Sequence, residues 1–161
     1  MGSTNANSLN PEQRLQELGI TLPQPPRPLG TYVETLQTGN LLFLSGTLPV
    51  EGGLPRYQGR IGGDLTAEDG SHATRLAALN ALALVKEHLG SLDKVKRVVR
   101  LGVYLMTAPE FRDHAKVADA ASNLLASVFG ADGLCARVVL GMASLPVGVC
   151  VEVEVTFEIG A

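Results

Sequence analysis

The sequence predicts one α+β domain, in which a single mixed sheet carries two main helices on one face. Three observations support this prediction. Two runs have apolar residues at helical spacing, β-branched runs separate them, and the last run alternates apolar and polar residues throughout. The coarse order is α-β-β-(β)-α-β-α-β-β, with no internal repeat. At 161 residues, 45% of them hydrophobic, the chain is long enough to bury a core.

Residues 1–29 are predicted to form a polar tail, a short helix and a proline-rich connector. Asn10 is a suitable N-cap, Pro11 suits the first helical position, and Gly19 ends the helix. The connector at 22–29 contains four prolines, which fix φ and remove N–H donors, so it should be extended. The first nine residues are small and polar, and we expect them to have no fixed structure.

The main domain, residues 30–161, is predicted to begin with a β-hairpin. Strand-like runs at 32–38 and 41–47 are separated by Gly39-Asn40, a dipeptide that tolerates positive φ in a tight turn. The second run opens with Leu-Leu-Phe-Leu, which is apolar on both faces, so we expect this strand to be covered on both sides. The glycine-rich segment that follows is expected to be a loop or an irregular strand.

Two long helices and a long strand form the middle of the predicted domain. Thr66 is expected to cap the first helix, which Gly90 ends. The β-branched run at 94–106 follows as a long strand. Pro109 is expected to open the second helix, whose apolar stripe repeats at helical spacing up to Gly130.

The last two predicted strands place charged residues on the sheet face away from the helices. A short strand is expected at 137–141. The run at 149–159 alternates, with six apolar residues on one face and Glu152 on the other. Arg137, Val139, Cys150 and Glu152 are expected on this second face, which needs a cover. We therefore expect a partner subunit there, with candidate sites in the clefts between subunits.

Composition and charge exclude several classes of function. The formal net charge is −3 and there is no Trp, so the chain lacks the basic patch and the aromatic platform that nucleic-acid binding requires. No apolar run approaches the roughly 20 residues of a membrane helix, and the N-terminus lacks a secretory signal, so we expect a cytoplasmic protein. Cys135 and Cys150 lie in apolar surroundings and are interpreted as buried, reduced thiols.

No sequence motif indicates a metal, a phosphate or an organic cofactor. The sequence has no P-loop, no dinucleotide fingerprint and no nucleophile elbow. The glycine-rich segment at 59–63 only loosely resembles a phosphate loop and is better explained as a turn. His72, His88 and His114 occur at unrelated spacings without cysteine partners, which argues against a metal site.

An arginine and a glutamate carry the candidate chemistry. Arg137 begins a strand after an apolar loop, and because its charge cannot be removed, it needs a fixed anion. That anion is either a side chain of the protein, such as Glu152, Glu154 or Asp119, or the carboxylate of a bound ligand. Glu152 is either an exposed glutamate at a sheet edge or a carboxylate that positions water and moves a proton.

Two further positions are candidates for lining a ligand site. Ser45 and Gly46 end the doubly apolar strand, where Gly46 either relieves a bulge or lets the backbone approach a ligand closely. Tyr32 follows a Gly-Thr pair at the start of the first strand. It is either a core or interface residue or a phenol directed at a ligand.

Several motifs together resemble the YjgF/Rid family of reactive intermediate deaminases, also named endoribonuclease L-PSP. The resemblance extends from about Gly30 to Ile159, and it includes an alanine- and leucine-rich helix over 73–84. The N-terminal helix and the connector resemble a longer subgroup with a chorismate-mutase-like fold. The other motifs are Gly-Thr-Tyr-Val at 30–33, Gly-Asn-Leu-Leu-Phe-Leu-Ser-Gly at 39–46, Val-Lys-Arg-Val-Val-Arg at 95–100, Ala136-Arg137, Leu145-Pro146 and Val-Glu-Val-Glu at 151–154.

The resemblance implies a chorismate-mutase-like homotrimer, with a central barrel-like arrangement of sheets and three clefts between subunits. It implies hydrolysis of reactive enamines and imines, such as 2-aminoacrylate, to 2-keto acids and ammonia, with no metal or organic cofactor. The family's carboxylate-binding arginine corresponds to Arg137, and its water-orienting acid corresponds to Glu152. Its cleft serine and glycine correspond to Ser45 and Gly46, and its cleft tyrosine corresponds to Tyr32.

The sequence also departs from the family pattern. The family's cysteine two positions after the arginine is Val139 here, which removes a thiol from the cleft. The family's cleft asparagine has no clear equivalent among Asp119, Ser122 and Asn123, and the segment before Arg137 lacks the usual proline. An alternative function therefore stays open, that of a non-catalytic binding module or sensor for small carboxylate metabolites. Endoribonuclease and chorismate mutase activities are weaker alternatives, since they rest on the family name and on analogy of fold.

Overall fold

The computed structural model describes residues 8–160, so most of the predicted polar tail lies outside the described residues. Three α-helices and seven strands are present in this part of the chain, and short 3-10 helices occur at Leu92–Lys94, Gly130–Gly133 and Pro146–Gly148. In chain order the main elements are α1 (Pro11–Glu17), β1 (Thr35–Thr38), β2 (Leu41–Leu44), β3 (Val50–Glu51), β4 (Leu54–Pro55), α2 (Ala67–Leu89), β5 (Val95–Met106), α3 (His114–Phe129), β6 (Ala136–Met142) and β7 (Val151–Ile159).

The main sheet is mixed and has the strand order β1-β2-β7-β5-β6. Strands β5 and β6 are parallel, because α3 connects them, and the other neighbouring pairs are antiparallel. The two long helices pack on one face of this sheet, over fully buried residues such as Leu101, Val153 and Phe157. The predicted α+β class with one mixed sheet is therefore confirmed.

The N-terminal helix forms as its sequence predicts and docks on the main domain. Asn10 and Gln13 make a reciprocal capping box, and Gly19 has the positive φ of 64° that allows the chain to leave the helix. The Glu12 carboxylate accepts hydrogen bonds from Lys86 Nζ at 2.7 Å and from the Leu92 backbone N–H at 2.9 Å. The connector that follows contains neither helix nor strand, as its prolines require.

The first hairpin is shorter than predicted. Gly39 turns between β1 and β2 with φ of 57°, but residues 29–32 form bends, and β1 begins only at Thr35. The bend is stabilised locally, since the Tyr32 backbone N–H donates to the Gly30 carbonyl at 3.1 Å. The expected cover on both faces of β2 is not present within one chain, because Phe43 is 40% exposed.

The capping prediction for the first long helix is confirmed, and the predicted start of the second is wrong. Thr66 caps α2, and Gly90 ends it with φ of 82°. Helix α3 begins at His114 rather than at Pro109. The residues between Pro109 and His114 form a turn, which is stabilised by a hydrogen bond from Arg112 Nη1 to the Pro109 carbonyl at 2.6 Å.

The alternation predicted for the last strand is confirmed, and it leaves one sheet face open. The valines of β7 are buried, and Glu152, Glu154 and Glu158 point to the other face. Cys150 and Thr156 are also buried, so the alternation is less strict than the sequence suggests. Apolar residues on the open face are exposed within one chain. They are Leu36, Phe43, Leu140 and Met142.

Candidate functional site

A cleft of about 860 Å³ lies beside the ends of β2 and β7. The proline-rich connector forms one wall, and the β3–β4 hairpin and the turn before β7 form others. Four residues singled out in the sequence line it together, namely Tyr32, Ser45, Gly46 and Glu152. One chain therefore assembles most of the predicted site.

Glu152 is a half-buried carboxylate in this cleft. It lies on β7 opposite Tyr104 of β5, on the sheet face away from the helices. Burial raises the pKa of Glu152, and the neighbouring charge of Glu154 raises it further. A carboxyl group that holds its proton more tightly than usual can act as a general acid as well as a base.

Gly46 leaves room for the Glu152 side chain. A Cβ atom at position 46 would overlap the Glu152 carboxylate oxygen. Gly46 does not have a positive φ, so backbone strain does not explain the glycine. The close approach that the sequence suggested thus involves the protein's own carboxylate, which lies directly against the Gly46 backbone.

Ser45 and Tyr32 both make hydrogen bonds that shape the cleft. Ser45 Oγ donates to the Val33 carbonyl at 2.6 Å, and its oxygen retains acceptor capacity. The Tyr32 hydroxyl accepts a hydrogen bond from the Leu29 backbone N–H at 3.0 Å, which leaves the phenol proton available to another acceptor. Both side chains thus fix the connector and the first bend while they line the cleft.

Arg137 lies on the edge strand β6 and makes an ion pair with α3. Its Nη1 donates to Asp119 Oδ1 at 2.7 Å and to Ser122 Oγ at 3.0 Å. The protein side chain that neutralises it is therefore Asp119, and not Glu152 or Glu154. Within residues 8–160, its Nε and Nη2 atoms have no hydrogen-bond partner.

One chain does not bring Arg137 and Glu152 together. In the register of β6 with β5, Arg137 lies beside Leu101, which is fully buried under the helices. Arg137 therefore points to the helix-covered face. Glu152 points to the open face, and its strand is two strands away, a separation of about 10 Å. Val139 shares the face of Arg137 and packs partly buried against the core, so it also lies outside the cleft of its own chain.

Several residues that line the cleft were not predicted from the sequence. Glu34 is one of them. Burial raises its pKa, the charge of Arg27 lowers it, and the charge of Glu87 raises it. Val147 is another, with an unusual φ of 51°. The density of prolines at 22–29 was the available signal, since a rigid extended segment has to run along some surface of the domain.

The described part of the chain offers no group of three or more His, Cys, Asp or Glu side chains that could hold a metal ion. Likewise, no helix in residues 8–160 is long and apolar enough to cross a membrane. Both cysteines are free thiols, and burial raises the pKa of Cys150 to about 12.

The fold and the cleft define a class of protein: an α+β domain with a mixed sheet, helices on one face, and a carboxylate in a cleft of ligand size. The chain belongs to the YjgF family. Residues 12–158 match the family described as "YjgF/chorismate mutase-like, putative endoribonuclease". The match includes α1 from Glu12 onward and the connector, the two segments whose sequence resembles a longer subgroup of the family.

Known proteins show how far the similarity extends. Protein TCP17 of Trypanosoma cruzi is 40% identical over 146 residues, which cover 90% of this chain and 91% of that protein. The crystal structure of Atu1372 from Agrobacterium tumefaciens, a protein of unknown function, is 42% identical with a TM-score of 0.85, and 92% of each chain is covered. A Shewanella oneidensis protein described as a putative endoribonuclease is 34% identical with a TM-score of 0.90, covering 94% of this chain and 100% of that one.

The same fold occurs in a more distant structure with a ligand. Escherichia coli TdcF, crystallised with bound serine, is 21% identical with a TM-score of 0.61, covering 88% of this chain and 96% of that one. Structures of this fold therefore include one that binds a small amino acid.

Proposed function

We propose that the protein hydrolyses enamine and imine intermediates of the 2-aminoacrylate type to 2-keto acids and ammonia. We further propose that it does so in the cytoplasm as a homotrimer, with a cleft between each pair of subunits. The observation that supports this most strongly is Glu152, a half-buried carboxylate of raised pKa that lines a cleft of about 860 Å³. Such a group can give a proton to a substrate and take one from water.

The substrate carboxylate needs a cation, and the cleft of one chain is poor in cations. The charged residues that line it are Glu34, Glu51, Glu152 and Arg27, and Arg27 pairs with Glu87 at 3.3 Å. Arg137 is the better anchor. Asp119 and Ser122 occupy only its Nη1 atom, which leaves the Nε–Nη2 edge of the guanidinium for a bidentate carboxylate.

A partner subunit would supply this arginine. The open sheet face exposes apolar side chains, among them Phe43, Leu140 and Met142, which favours contact with another copy of the chain. Arg137 lies on β6 at the edge of the same sheet. If this edge of one subunit packs against the cleft of a second subunit, Arg137 would lie near Glu152 of that second subunit. This arrangement is the family's intersubunit cleft, carried over to these residues.

The reaction needs few groups because an imine is already electrophilic. Arg137 would hold the carboxylate, and Glu152 would orient a water molecule toward the imine carbon. The water oxygen forms a bond to the carbon of the protonated imine while Glu152 accepts a water proton, which gives a neutral carbinolamine. Glu152 then gives that proton to nitrogen and accepts the hydroxyl proton as the C–N bond breaks and the C=O bond forms, so that ammonia leaves with a 2-keto acid as the other product. An enamine enters the same route after proton transfer to its terminal carbon.

Imine hydrolysis can be measured directly. An amino-acid oxidase with catalase generates 2-iminopropionate from alanine, and semicarbazide competes with hydrolysis to trap the imine. We expect the protein to lower the rate of semicarbazone formation, Arg137→Ala to abolish this effect, and Glu152→Gln to reduce it by about 100-fold or more. Arg112→Ala is the matched control, because Arg112 is an exposed arginine outside the cleft.

The outcomes separate the candidate functions. Unchanged turnover in Arg137→Ala would contradict the proposed anchor. If calorimetry showed binding of pyruvate without any imine hydrolysis, the binding-module alternative would replace the deaminase. The oligomeric state is a separate measurement, in which sedimentation should give three copies of the 16.9-kDa chain, about 51 kDa.

A further inference from the structure

We propose that the cleft contains an apolar subsite, formed by the proline-rich connector and Val147, that selects imino acids with bulky apolar side chains. This inference rests on the proposed function, because it concerns the substrate of the same cleft. Three observations support it: the size of the cleft, the composition of the connector wall, and the backbone conformation of Val147.

The cleft is much larger than the smallest substrate of the proposed reaction. 2-Aminoacrylate has six non-hydrogen atoms, and at about 30 Å³ for each water-sized group it fills less than about 200 Å³. The cleft has a volume of about 860 Å³, which falls in the range of roughly 300–1,000 Å³ for sites that bind drug-sized ligands. A partner subunit would fill part of this space, and a substrate with a large side chain would fill more of the remaining volume than 2-aminoacrylate does.

The connector presents apolar groups to this space. Its prolines and Leu29 line the cleft, and its one charged side chain, Arg27, pairs with Glu87 on α2. The end of the connector is fixed by the hydrogen bond from the Leu29 N–H to the Tyr32 hydroxyl. Because proline has a fixed φ, this wall is formed before the ligand arrives, and little conformational entropy is lost on binding.

Val147 lines the same cleft and has an unfavourable backbone conformation. Its φ is 51° and its ψ is 20°, in the left-handed region that β-branched residues rarely occupy. Its carbonyl accepts a hydrogen bond from Gln58 Nε2 at 2.7 Å, and the residue lines the cleft and is 48% exposed. Because Val147 is exposed, burial of its side chain within the chain does little to offset the backbone strain. A contact with a ligand explains this strained, exposed valine better than packing within the chain does.

The experiment compares the wild-type trimer with Val147→Gly on two substrates. An amino-acid oxidase generates the imines of alanine and of leucine, and hydrolysis is followed by competition with semicarbazide. We expect wild type to prefer the leucine-derived imine. Val147→Gly should lower kcat/KM for that substrate by about tenfold, the lower end for a lost apolar contact in a pocket, and should change the alanine-derived imine by less than twofold.

The variant should fold, since glycine adopts a φ of 51° without strain, so we expect its melting temperature to equal or exceed that of wild type. Leu18→Ser is the matched control. Leu18 is an apolar residue at the end of α1 with a similar exposure of 50%, and it does not line the cleft. This control should leave both rates unchanged.

Failure of the subsite and failure of the proposed function give different results. Equal rates on both imines, or an equal loss of both rates in Val147→Gly, would overturn the subsite and leave the deaminase in place. If neither imine is hydrolysed, calorimetry with pyruvate and 4-methyl-2-oxopentanoate decides. Tighter binding of the larger acid that Val147→Gly removes would support the subsite without catalysis, and no binding of either acid would overturn both.

Discussion

Substitution of Gly46 by alanine should separate catalysis from folding. The new Cβ would overlap the Glu152 carboxylate, and the Glu152 side chain can rotate away because its end is flexible. The backbone at position 46 has no positive φ to penalise alanine. We therefore expect the free energy of unfolding to change by less than about 1.5 kcal/mol, the usual scale for a small overpacking that a side chain can relieve.

The effect on hydrolysis should be much larger. Removal of the overlap requires the carboxylate to move by more than 1 Å, and misplacement of a reacting group by about 1 Å costs on the order of 100-fold in rate. The rate is measured on the alanine-derived imine, and stability is measured by urea unfolding of the same preparation. Gly63→Ala is the control, because Gly63 has ordinary contacts, with Arg60 the nearest at 3.6 Å, and it does not line the cleft.

A double variant tests whether Gly46→Ala acts through Glu152. If it does, Gly46→Ala should cost little further activity in the Glu152→Gln background, since the carboxylate's contribution is already lost. Fully additive losses would mean that the methyl group blocks the ligand itself. Activity within twofold of wild type in the single variant would refute the role assigned here to the Glu152 position.

Four further predictions concern stability and assembly. Burial raises the pKa of Glu152, so its charged form lowers the stability of the folded state as pH rises above the unfolded pKa near 4.5. Glu152→Gln should therefore be more stable than wild type to urea at pH 7, and the difference should be smaller at pH 4. Burial opposes the charge of Glu12, but hydrogen bonds from Lys86 and the Leu92 backbone outweigh it and lower the pKa. Glu12→Gln should therefore lose about 1–3 kcal/mol at pH 7, and this difference from wild type should disappear in urea titrations as pH falls below about 4.5. Gly133→Ala places a Cβ against the backbone carbonyl of α3 and should destabilise by about 2–3 kcal/mol in thermal unfolding. Leu140→Asp, on the open sheet face, should shift the sedimenting species from trimer toward monomer.

The elements that local chemistry specifies were predictable from the sequence. Asn10 and Thr66 make their caps because a side-chain oxygen satisfies N–H groups that no helix can satisfy internally. The alternation of β7 predicts which face is buried, since side chains of a strand point to opposite sides. The predicted helix start at Pro109 was wrong because proline suits a turn as well as a first helical position.

Part of the membership of the candidate cleft was predictable from the sequence, and its geometry was less so. Tyr32, Ser45, Gly46 and Glu152 do share a cleft, but the sequence does not show that Arg137 points to the opposite sheet face. That fact depends on the register between β5 and β6, which pairs Arg137 with Leu101, and long-range register is not encoded locally. The connector wall depends on where an extended segment docks, which the sequence of that segment does not specify.

The ion pair between Arg137 and Asp119 has a consequence for the proposed site. An exposed pair of this kind adds roughly 0–1 kcal/mol to stability, and Asp119 is largely exposed, so the pair contributes little to folding. Its geometry matters more, because Asp119 and Ser122 both bind Nη1 and so fix the plane of the guanidinium. The Nε–Nη2 edge is then held in one direction before any ligand arrives, and a carboxylate bound there loses less entropy than it would on a freely rotating arginine. In the proposed function, Asp119 would therefore hold the arginine in place for a second anion.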